Sequence, residues 1–93
     1  MAIYIFSYDL NDRDPETHTE DSEKIKTTVS SLGAWCKYLT TTYLINSTYG
    51  LDYINTELTA HMTAPDRMVL CEIKEPIKGW FTDKQWNWIR TNL

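Results

Sequence analysis

A single α+β domain is the fold class this 93-residue chain predicts, and three features predict it. Short runs rich in β-branched and aromatic side chains recur along the chain. Between them, apolar residues return every three to four positions, as on one face of a helix. A complete helix-start signal stands close to the C-terminal end. At this length there is room for one core, so residues 1–93 read as one domain. A composition of 42% hydrophobic and 24% charged residues excludes a disordered tail.

The first run, "AIYIFSY", is bounded by Asp-Leu-Asn-Asp and reads as a strand. Both of its faces are apolar, with Ile3 and Ile5 on one and Tyr4, Phe6 and Tyr8 on the other. Such a strand belongs in the middle of a sheet. Residues 11–20, which include Pro15, read as a polar connection. Asp21 then caps a helix whose Ile25, Val29 and Leu32 share one face and which Gly33 closes. "AWCKYL" and "TTYLINS" follow so closely that a hairpin turning at Thr40 and Thr41 is expected.

After Thr48 a second helix buries Leu51, Ile54 and Leu58. It stops before Ala64-Pro65, because the residue ahead of a proline avoids helical backbone. "RMVLCEI" is another strand with two apolar faces. The last helix, at about 82–92, opens with a capping box of Thr82 and Gln85, and Phe81 staples onto Trp86. Trp86, Ile89 and Leu93 form its expected buried stripe.

This order is the ferredoxin-like βαββαβ arrangement, a four-stranded antiparallel sheet with two helices on one face, plus an extra C-terminal helix. The other face needs cover from that last helix, from a second subunit, or from both.

The net charge is −4, with nine basic residues against 13 acidic ones, which argues against avid non-specific binding to DNA. The acids are concentrated: Asp9, Asp12, Asp14, Glu16, Glu20, Asp21 and Glu23 surround the single base Arg13. The rest of the chain is mildly basic. No stretch reaches the ~18 consecutive apolar residues of a membrane span. The N-terminal apolar run is too short for a signal peptide, so a cytoplasmic protein with no membrane partner is expected. Cys36 and Cys71, far apart and in no C-x-x-C pattern, are expected to be reduced core thiols.

Phosphate loops, nucleophile elbows and zinc spacings are missing from the sequence, and the three glycines are each explicable as a turn or cap. His18 and His61 have no spacing that unites them. Asp9 is the one acid with a distinct setting. It ends a central strand, with Asn11 and Asp12 just beyond, an oxygen-rich group of the kind that holds a hard divalent cation. The same residues also end strands and start Asx-turns, and both readings stand. Among Trp80, Trp86 and Trp88, the first expectation is an anchor for the helix at Trp86. Trp88 lies off the buried stripe and is open to base stacking or to a partner.

"YIFSYDL", a helix ending in Gly33, "WCKYLTTTYLI" and "DRMVLCEI" together resemble the small CRISPR-associated ferredoxin-like proteins and the virulence-associated protein D toxins. The SinR-like branch of that superfamily is the closer likeness, and it spans nearly the whole chain. The resemblance implies a homodimer in which Asp9 is the catalytic residue and the ligand of a Mg or Mn ion, cleaving phosphodiester bonds of RNA or DNA. Across a two-fold axis, one Asp9 from each subunit would flank a single metal. Tyr8, Asn11, Arg13 and Trp88 are the residues expected to meet substrate or partner. This sequence departs from the CRISPR proteins in placing acids, not bases, after that aspartate. The alternative is a non-catalytic dimeric binding or scaffold module for a nucleotide, a nucleic acid or a protein, in a defence, toxin–antitoxin or mobile-element setting.

Overall fold

A computed structural model of the chain describes residues 2–93. The elements are β1 (Ala2–Asp9), α1 (Pro15–Leu32), β2 (Ala34–Leu39), β3 (Thr42–Ser47), α2 (Leu51–Thr59), β4 (Arg67–Ile73) and α3 (Asp83–Asn92). The four strands form one sheet in the order β2-β3-β1-β4, and each neighbouring pair is antiparallel. This is the ferredoxin-like arrangement with its extra helix. β1 pairs on both sides, as its two apolar faces require. The β2–β3 hairpin turns at Thr40 and Thr41 as expected, with a register shift between Lys37 and Leu39.

α1 and α2 cover the face that carries Tyr4, Phe6 and Tyr8 of β1 with Tyr43 and Ile45 of β3. Ile25, Val29 and Leu32 descend from α1, and Ile54 and Leu58 from α2. Phe6 is fully buried and stacks on Tyr8 and Tyr43, with ring centroids 5.2 and 6.4 Å apart. Each such large side chain contributes roughly 1.5–3 kcal/mol by leaving water. Gly33 carries the chain from α1 into β2 at φ 154°, where an added Cβ would collide with the Asn46 carbonyl. Only glycine permits that approach. Leu51, expected in the core, is exposed, because α2 presents a narrower apolar face than its sequence implies.

α1 starts earlier than its sequence spacing suggests. Asp14, not Asp21, is the N-cap, its carboxylate accepting from Thr17 N at 2.8 Å, with Pro15 as the first helical residue. Asp21 and His18 therefore lie on the helix and not in a loop.

α3 crosses the opposite face above β2 and β3. Its capping box is complete: Thr82 N donates to Gln85 Oε1 at 2.9 Å, and Gln85 N donates to Thr82 Oγ1 at 3.1 Å. Phe81 meets Trp86 edge-on at 4.6 Å, the expected staple. The buried anchor is Ile89, only 1% exposed, which lines a groove with Ile5 and Leu44. Trp86 is half-buried and Leu93 is exposed, so the expected three-residue stripe reduces to its middle member. Gln85 donates to the Tyr38 carbonyl, and Asn46 donates its amide to Asn92 Oδ1. These polar contacts rotate α3 away from a purely apolar docking. The helix leaves part of β4 uncovered, where Val69 and Cys71 are exposed. Cys71 is thus a surface thiol, contrary to its expected place in the core. Among the described residues no helix is long and apolar enough to cross a membrane.

Ile89→Ala is expected to cost roughly 2–5 kcal/mol in guanidinium chloride unfolding, the range for deleting a buried branched side chain. Trp86→Ala is expected to cost less, despite removing more atoms. The reverse order would contradict the anchoring of α3 by Ile89.

Candidate functional site

The C-terminal end of β1 is built around a carboxylate that sequence reasoning did not single out. Asp66, whose side chain is fully buried, stands between α2 and β4. Its Oδ1 accepts from Asn11 N at 2.9 Å and from Arg13 Nη1 at 2.6 Å. Its Oδ2 accepts from Arg13 Nη2 at 2.7 Å, from Thr63 N at 2.7 Å and from Thr63 Oγ1 at 3.1 Å. Arg13 completes its fork by donating from Nε to Asp21 Oδ2 at 2.6 Å and from Nη1 to the Asn11 carbonyl at 2.9 Å. A bidentate guanidinium–carboxylate pair with its remaining valences filled is the favourable form of a buried charge. It fastens the β1–α1 connection to the segment ahead of β4. Asp12 turns that connection with φ 57°, a left-handed conformation that aspartate tolerates better than most residues.

Arg13, expected to meet substrate, is thereby committed inside the protein. The sequence signal for this was its isolation as the one base among seven acids. Asn11 is committed as well, its amide donating to the Pro65 carbonyl at 2.9 Å and to Asp9 Oδ2 at 3.3 Å.

Asp9 itself is exposed, on the α3 side of the sheet, opposite Arg67 in the β1–β4 register. Within one chain its surroundings do not fit a Mg or Mn ion. Asn11 faces it with an amide donor, Asp66 has no free valence, and the nearest register partner is a cation. Among the described residues no group of three or more His, Cys, Asp or Glu side chains is placed to hold a metal. Hard divalent cations take about six oxygen ligands, from protein and water together, and this set supplies one carboxylate.

Tyr8 lies on the other face, because neighbouring strand residues point oppositely. It forms the floor of a crevice of about 250 Å³ between α1 and the β2–β3 turn, together with Tyr43. Both are nearly buried, at 5% and 1% exposure. Burial raises the Tyr8 phenol, a rise that Ser22 opposes and the Glu23 charge reinforces. Tyr43 is pushed up to about 12, first by burial and then by Tyr8 and Glu23. Both phenols therefore keep their protons at neutral pH and remain hydrogen-bond donors. Lys26 and Lys37 border the crevice.

Trp88 takes part in a second feature, a groove of about 410 Å³ around the outer edge of β2. Two spacings frame it. Trp35 and Lys37 share a face of the edge strand, and Lys84 and Trp88 stand one turn apart on α3. Lys26 Nζ lies 6.0 Å from the Trp35 ring centroid, and Lys37 Nζ lies 5.7 Å from that of Tyr43. Among the described residues, Lys26, Lys37 and Lys84 enter no ion pair. Of the five candidate residues, Tyr8, Asp9, Asn11 and Arg13 share one end of the sheet but not one surface. Trp35, Lys26, Lys37, Lys84 and Tyr43 join the picture only through the fold.

Arg13 holds the Asp66 carboxylate well below the usual carboxylate range, with Asn11 N and Thr63 adding to the effect against the opposing cost of burial. The folded state thus binds this proton more weakly than the unfolded state. The resulting stability is complete above about pH 4 and is lost as pH falls below it. Asp66→Asn is expected to lower the neutral-pH melting temperature more than Asp9→Asn does, and to flatten the acid limb of the stability curve. Equal, small effects at both positions would show that the buried pair does not hold this end of the molecule. No protein-family model matches the chain, and no curated protein matches it.

Proposed function

We propose that the chain is a non-catalytic binding module that holds single-stranded nucleic acid along the outer edge of β2. The observation that carries this is the groove in which Trp35 and Trp88 stand with Lys37 and Lys84, neither of which enters an ion pair among the described residues. Aromatic rings beside a cationic track suit a strand with unstacked bases, whereas a duplex keeps its base faces stacked on one another and out of reach of such rings. The net charge of −4 is compatible with a local contact of this kind, because seven of the acids fall within residues 9–23 and the rest of the chain is mildly basic. With only two or three phosphates neutralised, affinity is modest, with a salt slope of about −1.4 to −2.1 in log–log form.

In fluorescence anisotropy with a labelled single-stranded oligonucleotide, Trp88→Ala is expected to weaken binding by about 5- to 150-fold, the cost of one lost base stack. Lys37→Gln with Lys84→Gln is expected to flatten the salt slope. Unchanged affinity in Trp88→Ala would refute the groove as the binding surface.

Metal-dependent phosphodiester cleavage is the competing reading, and the exposure of Asp9 at a strand end is what favours it. It requires a second copy to bring further oxygen ligands to a Mg or Mn ion. On our reading Asp9→Asn binds oligonucleotide as the wild type does, and Mn raises the melting temperature of neither. A Mn-dependent rise that Asp9→Asn abolishes, together with cleavage, would establish the competing reading instead.

The same proposal includes a homodimer. The resemblance to CRISPR-associated and virulence-associated proteins supports it, as does the part of the sheet beside α3 where Val69 is 53% exposed and the neighbouring Cys71, opposite Ile5, is exposed as well. Light scattering at micromolar concentration is expected to return twice the 10.9 kDa chain mass. A monomer would count against it.

A further inference from the structure

The crevice floored by Tyr8 and Tyr43 adjoins the groove just described, because Lys37 borders both. Trp35 of the groove also meets Tyr43 of the crevice edge-on, with ring centroids 5.7 Å apart. Resting on the nucleic-acid reading of that groove, we infer that the crevice receives a terminal phosphate of the bound strand.

Its size comes first. About 250 Å³ is less than the 300–1,000 Å³ usual for a whole small-molecule ligand, so the space suits one end group of something larger. Its chemistry comes second. The two phenols are at least nine-tenths buried, both residues line the crevice, and each keeps a hydroxyl proton to donate. Lys26 and Lys37 stand above aromatic rings and answer to no carboxylate among the described residues. Ser22 adds a hydroxyl, and His18 also lines the crevice.

Glu23 is the one carboxylate in the lining. Two cations and two neutral donors outweigh it for a strongly charged guest more than for a weakly charged one. A terminal phosphate monoester carries about −1.5 to −2 charge at neutral pH, against about −1 for a phosphodiester within a strand. The crevice therefore favours a phosphorylated end over an internal linkage. Thr40 and Thr41 of the hairpin turn also line it.

The test uses one single-stranded sequence in three forms: with hydroxyls at both ends, with a 5′-phosphate, and with a 3′-phosphate. The inference expects one of the phosphorylated forms to bind about tenfold or more tightly than the hydroxyl form, since charge-assisted hydrogen bonds contribute roughly 1.5–3 kcal/mol. Tyr43→Phe and Lys26→Gln should each reduce that preference, read as the ratio of the two affinities within each variant. Equal affinity for all three forms would overturn the inference while leaving the groove reading intact. So would a preference that survives both substitutions. Failure of every form to bind would remove the groove reading. The crevice would then be judged by inorganic phosphate alone, which should raise the melting temperature of the wild type and raise that of Lys26→Gln less. Equal shifts there would overturn it.

Discussion

The ion pair between Arg13 and Asp66 is the contact on which the working end of this molecule depends. It joins two connections that are more than fifty residues apart in sequence, and it does so in a place closed to water. Removing either partner would leave the other charged and buried, which is far worse than losing both. With the pair in place, the chain leaves β1 through a left-handed Asp12 and reaches Asp14, which caps α1 one residue ahead of Pro15. The start of that helix sets everything on its inner side. His18, Ser22 and Lys26 fall at intervals of four, on one face, above Tyr8 and Tyr43. A helix begun at Asp21 would carry Ser22 and Lys26 but neither His18 nor Thr19, and the crevice would lose that part of its wall.

The pleat of β1 decides a second matter. Tyr8 and Asp9 are adjacent in sequence, yet they open onto opposite faces of the sheet. A site centred on Asp9 belongs to the α3 side, where Arg67 lies opposite and Asn11 points an amide donor at it. A site centred on Tyr8 belongs to the α1 side, where Lys26 and Lys37 have no carboxylate partner among the described residues. The two surfaces share an end of the sheet and little else. Only the Tyr8 surface continues, by way of Lys37 and Trp35, into the groove beside Trp88.

Most of the fold was legible in the residues. The two-sided apolar strand β1, a hairpin of nearly adjacent runs and a capping box at Thr82 are local signals that survive folding, whereas "RMVLCEI", with the same two-sided pattern, forms the edge strand β4. What was not legible depended on distant partners. Asp14 and Asp21 are both plausible caps by composition, and the choice follows from Arg13 reaching across to Asp66, which no spacing reveals. Trp86 fits an apolar stripe, but Gln85 and Asn92 bond to the sheet and turn the helix so that Ile89 alone is sealed. At the candidate site, Asp9 and Trp88 drew notice because an acid at a strand end and an off-stripe tryptophan are visible in one dimension. Trp35, Lys37 and Lys84 did not, because an edge strand and a helix on the opposite face must first be brought together.

The most direct test of the central claim, that nucleic acid lies along the β2 edge and not at Asp9, is a heteronuclear NMR titration of the ¹⁵N-labelled protein with a single-stranded oligonucleotide. The four tryptophans report separately through their indole N–H groups. Binding at the groove predicts that the Trp35 and Trp88 indole signals shift together with the amides of Lys37 and Lys84, while Trp80 and Trp86 stay in place. Shifts confined to Asp9, Asn11 and Arg67, with the Trp35 and Trp88 indoles unmoved, would contradict it.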